Sequence, residues 1–174
     1  MKVILIGGKS RSGKDTVASI MRQKLINDGK RVIVIHYADL LKHICKSYFG
    51  WDGEKDEKGR SLLQRVGTDI IRKENPNAWV NFVSEFLGYF NDNWDFAIIP
   101  DCRFKNEIDK ICEDGFDTTY VRVERPDYDN GLTEEQKNHS SETDLDDIMP
   151  DIELINDGDM DKLVETVETC LANI

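Results

Sequence analysis

The stretch Gly8-Lys9-Ser10-Arg11-Ser12-Gly13-Lys14-Asp15-Thr16 decides how this chain is read, because it comes directly after the apolar run Val3-Ile4-Leu5-Ile6. A buried strand, a loop punctuated by two glycines and a helix start stand in that order. Glycines let a backbone wrap until successive N–H groups face inward. The helix N-terminus adds the positive end of its dipole, and a lysine closing the loop reaches β- and γ-phosphate oxygens. Gly8 to Gly13-Lys14 fits G-x-x-x-x-G-K, but Asp15 stands where Ser or Thr is expected and the hydroxyl arrives at Thr16. A plain strand-to-helix turn capped by Ser12 or Asp15 would need neither the paired glycines nor the lysine. The pattern points to a nucleoside triphosphate held by Gly8, Lys9, Ser12, Gly13, Lys14, Asp15 and Thr16.

Outward from this loop, residues 14–28 read as a helix with Val17, Ile20, Met21 and Leu25 on one face, ended by Gly29. Val32–Ile35 is a second near-continuous apolar strand, the pattern of a strand buried on both faces in a parallel sheet. Residues 39–49 read as helix and Gly50–Gly59 as a charged surface loop. Two more helices run from Leu62 to Lys73 and from Pro76 to about Phe90. Phe96–Ile99 is a third buried strand, Phe104–Asp114 a helix, Thr119–Glu124 a fourth strand, Ile152–Ile155 a fifth and Met160–Leu171 a closing helix. Pro126 to about Asn138 carries few apolar residues and reads as a mobile excursion. Strands alternating with helices predict a doubly wound α/β domain whose ligand sits beyond the carboxyl ends of the strands.

Composition narrows the partners. A chain of 174 residues with 39% hydrophobic content suits a single domain, here 1–174. No apolar stretch approaches the ~18 residues of a membrane helix. Met1–Gly8 is too short for a secretory signal, so a cytoplasmic location is expected. A formal net charge of −11 disfavours polymeric nucleic acid as a substrate, but leaves room for small nucleotides if cations gather at one cleft. Cys45, Cys102, Cys112 and Cys170 are scattered without metal-ligand spacing and read as free thiols. Monomer and homodimer are both open.

The strand ends then carry the chemistry. Strand two ends in His36-Tyr37-Ala38-Asp39 and strand three in Pro100-Asp101-Cys102-Arg103. An aspartate closing an apolar strand beside such a loop suits a magnesium ion held through water, and Arg103 brings a planar fork suited to phosphate. Asp39 is a second candidate of the same kind. On strand four, Arg125 at the end is the better candidate for contacting ATP, and Arg122, opposite the valines, reads equally as a solvated side chain. In the helix Arg60–Lys73, Gln64, Thr68 and Arg72 share a face suited to a base edge, a sugar hydroxyl and a monophosphate, with Asp69 beside them. Gly67 is costly in a helix by about 1 kcal/mol, which the close approach of a ligand would explain. Trp79 suits either base stacking or the core.

In its loop, Tyr37–Lys42, Leu62–Arg72 with Asn77–Val80, Asp101–Glu107, Val121–Pro126, His139–Asp147 and Ile155–Gly158, the chain resembles the phage-type deoxynucleoside monophosphate kinases of the P-loop kinase superfamily. The resemblance spans nearly the whole chain. It implies a three-layer αβα domain with a mainly parallel five-stranded sheet, an acceptor-binding helical region over about 39–93 and a lid over about 126–142. It further implies transfer of the γ-phosphoryl group from ATP to a (deoxy)nucleoside 5′-monophosphate with Mg²⁺. Lys14, Arg103, Asp101 and Arg125 would be catalytic, and Thr16 with Asp101 would serve the metal. Arg11, Asp39, Gln64, Thr68, Asp69, Arg72, Trp79 and Arg103 would bind substrate. His139 and Glu142 either fasten the lid or, for Glu142, cap a short helix. A dephospho-coenzyme A kinase and a regulatory ATPase without acceptor remain alternative readings.

Overall fold

The run Val3–Ile6 is fully buried because β1 (Lys2–Gly7) lies at the centre of a sheet ordered β2-β3-β1-β4-β5. The computed structural model describes residues 1–54, 56–126 and 128–174. Lys55 of the charged loop and Asp127 of the expected lid lie outside the described residues. The other strands are β2 (Val32–Val34), β3 (Phe96–Ile99), β4 (Asp117–Glu124) and β5 (Ile152–Ile155), and every pairing is parallel. Parallel strands require helical crossovers, and these cover both faces. The helices are α1 (Lys14–Asn27), α2 (Ala38–Tyr48), α3 (Glu57–Gln64), α4 (Ala78–Tyr89), α5 (Lys105–Glu113), α6 (Glu134–Lys137), α7 (Ser140–Thr143) and α8 (Met160–Ala172).

Alternation divides the core into two layers. Ile4, Ile6, Ile98, Val121 and Val123 pack with Val17, Met21 and Val167 of α1 and α8. Val3, Leu5, Ala97, Ile99 and Tyr120 pack with Leu41, Val83 and Ile111 of α2, α4 and α5. Together these make the three-layer α/β arrangement. All four cysteines are free, and only Cys112 is exposed. Among the described residues no helix is long and apolar enough to cross a membrane.

Several expectations are corrected here. Val32–Val34 is half-buried, since β2 is an edge strand with β3 on one side alone. The helix expected from Leu62 starts at Glu57 and changes at Arg65 into a π-helical segment, Arg65–Arg72, a rare geometry. Gly67 in that segment is close to protein: a Cβ there would come within 2.5 Å of Leu41 Cδ2, so no ligand is needed to explain it. The excursion after Pro126 contains α6, opened by Thr133 accepting from Gln136 N–H. Arg122 is no solvated side chain, since it donates to the Leu145 and Ile148 carbonyls and pins that loop against β4.

The start of α3 shows packing overriding propensity. Asp56 caps it through Gly59 N–H at 2.7 Å, and Trp51 Nε1 donates to the Glu54 carbonyl at 2.8 Å. A Cβ on Gly59 would fall on that same carbonyl and lie 2.7 Å from Trp51 Nε1. Gly59→Ala, stabilising by about 1 kcal/mol on helix propensity, is expected to destabilise instead by about 1–3 kcal/mol through overpacking. Urea unfolding monitored by circular dichroism reads the sign.

Candidate active site

The phosphate-type loop is held open by its neighbours. Gly8 has φ 135°, and a Cβ there would collide with the Val123 carbonyl of the adjacent β4. Gly13 has φ 102°, and its missing Cβ makes room for the Asn156 side chain, whose Nδ2 donates to the Ser12 carbonyl at 2.9 Å. Asn156 N–H in turn bonds the Glu124 carbonyl at 2.7 Å, so the end of β5 clamps the loop to β4. The Ser12 hydroxyl is buried without a partner among the described residues. Arg11, alone among the described non-glycine residues in having a positive φ (63°), reaches the Asn130 carbonyl at 2.8 Å.

Lys14 lies 8% exposed at the start of α1, its Nζ donating to the Gly8 and Lys9 carbonyls at 2.8 and 2.7 Å. Burial, and next the Arg103 charge, lower its ammonium to about 8, against the raising pull of Glu142, Asp15 and Asp101. A cleft of about 760 Å³ opens here. It is lined by Lys14, Asp15 and Thr16 on one side, by Gln64, Thr68 and Arg72 of α3 and its π continuation on another, and by Asp101, Arg103 and Arg125 at the strand ends. A second cavity of about 460 Å³ adjoins it, bordered by Gly8, Lys9, Ser12 and Arg122.

Each cation of the cleft has an internal partner. Arg103 Nη1 donates to Glu142 Oε1 at 2.7 Å, while the other oxygen of Glu142 accepts Ser10 N–H of the loop at 2.8 Å. Lys9 bonds the Glu142 carbonyl at 2.5 Å and pairs with Asp146. Glu142 is therefore more than a cap on α7: His139 opens that helix by accepting from Ser141 N–H. Arg125 stacks on the Tyr128 ring, 3.8 Å from its centroid. Arg72 lies 3.9 Å from the Phe104 ring centroid and donates to Glu107 Oε1 at 2.7 Å.

Asp101 accepts Tyr37 and Ala38 N–H at 2.9 and 3.0 Å, one on each oxygen, which fixes the N-terminus of α2. Each oxygen keeps a further lone pair, so the carboxylate and the Thr16 hydroxyl, both on the cleft wall, suit a hydrated divalent cation. Asp39 does not line the cleft. It accepts His36 N–H at 3.0 Å and pairs with Lys42, closing the first turn of α2. Asp69 is exposed and likewise outside the cleft, because the expected shared face holds Gln64, Thr68 and Arg72 alone. Trp79 is a core residue, 5% exposed, with Nε1 donating to the Gly67 carbonyl at 3.2 Å, and it also borders the cleft.

Sequence reasoning gave no role to Glu107, Asn106, Phe104 or Asn156. Glu107, three residues into a helix with no polar N-cap, carried the one local signal, since Glu at N3 commonly bonds the N-cap N–H.

The model of the deoxynucleotide monophosphate kinase family matches residues 51–167. The chain belongs to this family. It is 31% identical over 114 residues to the deoxynucleotide monophosphate kinase of enterobacteria phage T4, an overlap covering 64% of this chain and 44% of the phage protein. Among solved structures, an APS kinase of Mycobacterium tuberculosis in complex with AMPPNP and APS aligns with TM-score 0.55 at 16% identity, over 98% of this chain and 97% of that one. TT1252 from Thermus thermophilus aligns with TM-score 0.57 at 19% identity, over 99% and 97%. These structural likenesses show that this family member shares their fold.

The depressed Lys14 titration gives a signed expectation. Below about 8 the lysine is already charged; above it, phosphate binding must draw a proton in, because bound anions favour the ammonium. Nucleotide affinity should hold near pH 7 and fall by up to about tenfold per pH unit above pH 8. Titration calorimetry in buffers of different ionisation enthalpy should show proton uptake at pH 9 and none at pH 7 from this group. Lys14→Arg should abolish that uptake.

Proposed function

We propose that this chain transfers the γ-phosphoryl group of ATP to a deoxynucleoside 5′-monophosphate, yielding the diphosphate and ADP. One observation carries the reading: a single cleft is lined by the phosphate-type loop with Lys14, by Arg103, which Glu142 ties to that loop, and by Arg72 of the π segment. Cations brought to one cleft from three separate elements suit two anionic substrates. The family match and the phage relative's name supply the class of acceptor.

An oxygen of the acceptor phosphate attacks the γ-phosphorus, and the bond to the β–γ bridging oxygen breaks. That acceptor oxygen is already anionic near neutral pH, so no general base is required and the work is positioning and charge stabilisation. Lys14 and the loop N–H groups hold the β- and γ-phosphates. Arg103, within the same cleft, spreads charge on the transferring group, while Arg72 holds the acceptor phosphate beside the Gln64 and Thr68 face. Magnesium carried with ATP would neutralise phosphate charge, held by Thr16 and, through water, by Asp101. Arg125 contacts the donor ATP, and Arg11 joins Arg72 at the acceptor phosphate. The domain is read as one unit, with acceptor region 39–93 and a lid over 126–142 that keeps water from the γ-phosphate. Small nucleotides in the cytoplasm are its proposed partners.

ADP formation from Mg-ATP, with each deoxynucleoside and ribonucleoside monophosphate offered in turn, tests this directly. Strong stimulation by at least one monophosphate is expected, and ATP consumption indifferent to all of them would refute the reading. Lys14→Ala should lower kcat by about 10²-fold or more. Arg72→Ala should raise the monophosphate KM by about 10- to 100-fold, the scale of a charge-assisted hydrogen bond.

A further inference from the structure

Glu107 is the least exposed charged residue among the described residues, at 1%. A carboxylate buried so deeply is costly unless its lone pairs are met, and here both oxygens are used by different parts of the cleft. Oε2 accepts the backbone N–H of Arg103 at 2.7 Å and of Phe104 at 3.1 Å, the turn that leads from β3 into α5. Oε1 accepts Nη2 of Arg72, at the end of the π segment, at 2.7 Å. The Phe104 ring lies against the guanidinium, and Asn106 Oδ1 holds its Nη1 at 3.3 Å while bonding Pro76 and Asn77 through Nδ2. None of these contacts uses the Arg72 Nε–H.

We propose that Glu107 is a positioning residue for the acceptor phosphate, setting the Arg72 guanidinium by direct pairing and Arg103 through its backbone. The inference rests on the kinase reading above. One carboxylate holds both the Arg72 guanidinium and the backbone from which Arg103 projects, so two elements distant in sequence are registered to each other before any substrate arrives. A guanidinium clamped on its pair of terminal nitrogens and on one ring face has few rotamers left. The ordering entropy that a free arginine would lose on binding phosphate is thereby removed from the binding step. A residue needed only to cap α5 has no such requirement: a Ser, Thr or Asp at the N-cap would serve without a buried charge, and the chain carries Phe104 there.

The test is steady-state kinetics of Glu107→Gln, varying ATP and the best monophosphate separately. The amide oxygen can keep the two backbone donors, but the amide NH₂ then faces Arg72 donor to donor. The monophosphate KM should rise about tenfold or more, with the ATP KM unchanged within about twofold. In an Arg72→Ala background the same change should add little, since the two act as a unit. If the Gln variant fails to fold, Glu107→Asp keeps the charge on a shorter arm that cannot span both partners, and the same selective rise is expected. Equal rises in both KM values, or no rise in a folded variant while Arg72→Ala does raise the monophosphate KM, would overturn the proposal and leave the kinase reading standing. Absence of any monophosphate-stimulated turnover by the unaltered chain would overturn both.

Discussion

Four cations gathered in one cleft must be neutralised from within the fold, and that constraint organises much of this molecule. Lys14, Arg72, Arg103 and Arg125 line one cavity in a chain whose net charge is −11. Unneutralised, such a cluster would repel itself and draw water into the core. Each member instead has an internal partner. Carbonyls of the loop itself hold Lys14, Glu107 holds Arg72, Glu142 holds Arg103, and the Tyr128 ring holds Arg125. These partners compete with a phosphate to different degrees, which ranks the contacts by how readily a substrate would replace them.

The two carboxylates sit at opposite ends of that ranking. Glu107 is anchored in the first turn of α5, with two backbone donors on the oxygen that does not face Arg72. Removing it would orphan those donors, so it stays where it is. Glu142 rides on the four-residue helix α7 and spans from Arg103 to Ser10 N–H, a donor belonging to the phosphate-type loop itself. It occupies donors that suit a phosphate oxygen equally well. The four residues of α7 bury none of their own number, although Leu145 just beyond them is held in the core. The geometry thus separates a fixed wall, formed by α5 and the π segment, from a yielding one, formed by the residues around α7.

Much of this was legible in the sequence, for reasons that can be named. The order of apolar strands and amphipathic helices comes from burial periodicity alone, and the glycine spacing of 8–13 required a loop with positive φ. What escaped has a common cause: local signals state a need without naming the partner that meets it. Gly67 announced close approach, but nothing local distinguishes Leu41 from a ligand. Asp39 and Asp101 both close a strand, yet Asp39 folds back on its own turn while Asp101 crosses to the N–H groups of the neighbouring segment. Helical spacing puts Gln64, Thr68 and Arg72 on one face, and all three line the cleft, whereas the π geometry that carries Thr68 and Arg72 leaves no mark in the pattern of residue types. Glu107 was hidden because a glutamate near a helix start is ordinarily an exposed one.

The π segment and Glu107 make sense together. A π turn accommodates an inserted residue and swings the residues beyond it relative to an ordinary helix. Arg72 stands at the far end of the segment. Nearer its start is Gly67, pressed against Leu41 and bonded through its carbonyl to Trp79. The segment is therefore held at Gly67 by the core and at Arg72 by a buried carboxylate, with Thr68 between the two and facing the cleft. Fixing both ends removes the freedom that a widened helix would otherwise have to relax toward α geometry. The unusual backbone is sustained by tertiary contacts, and the side chains on its open face are placed by those contacts instead of by their own propensities.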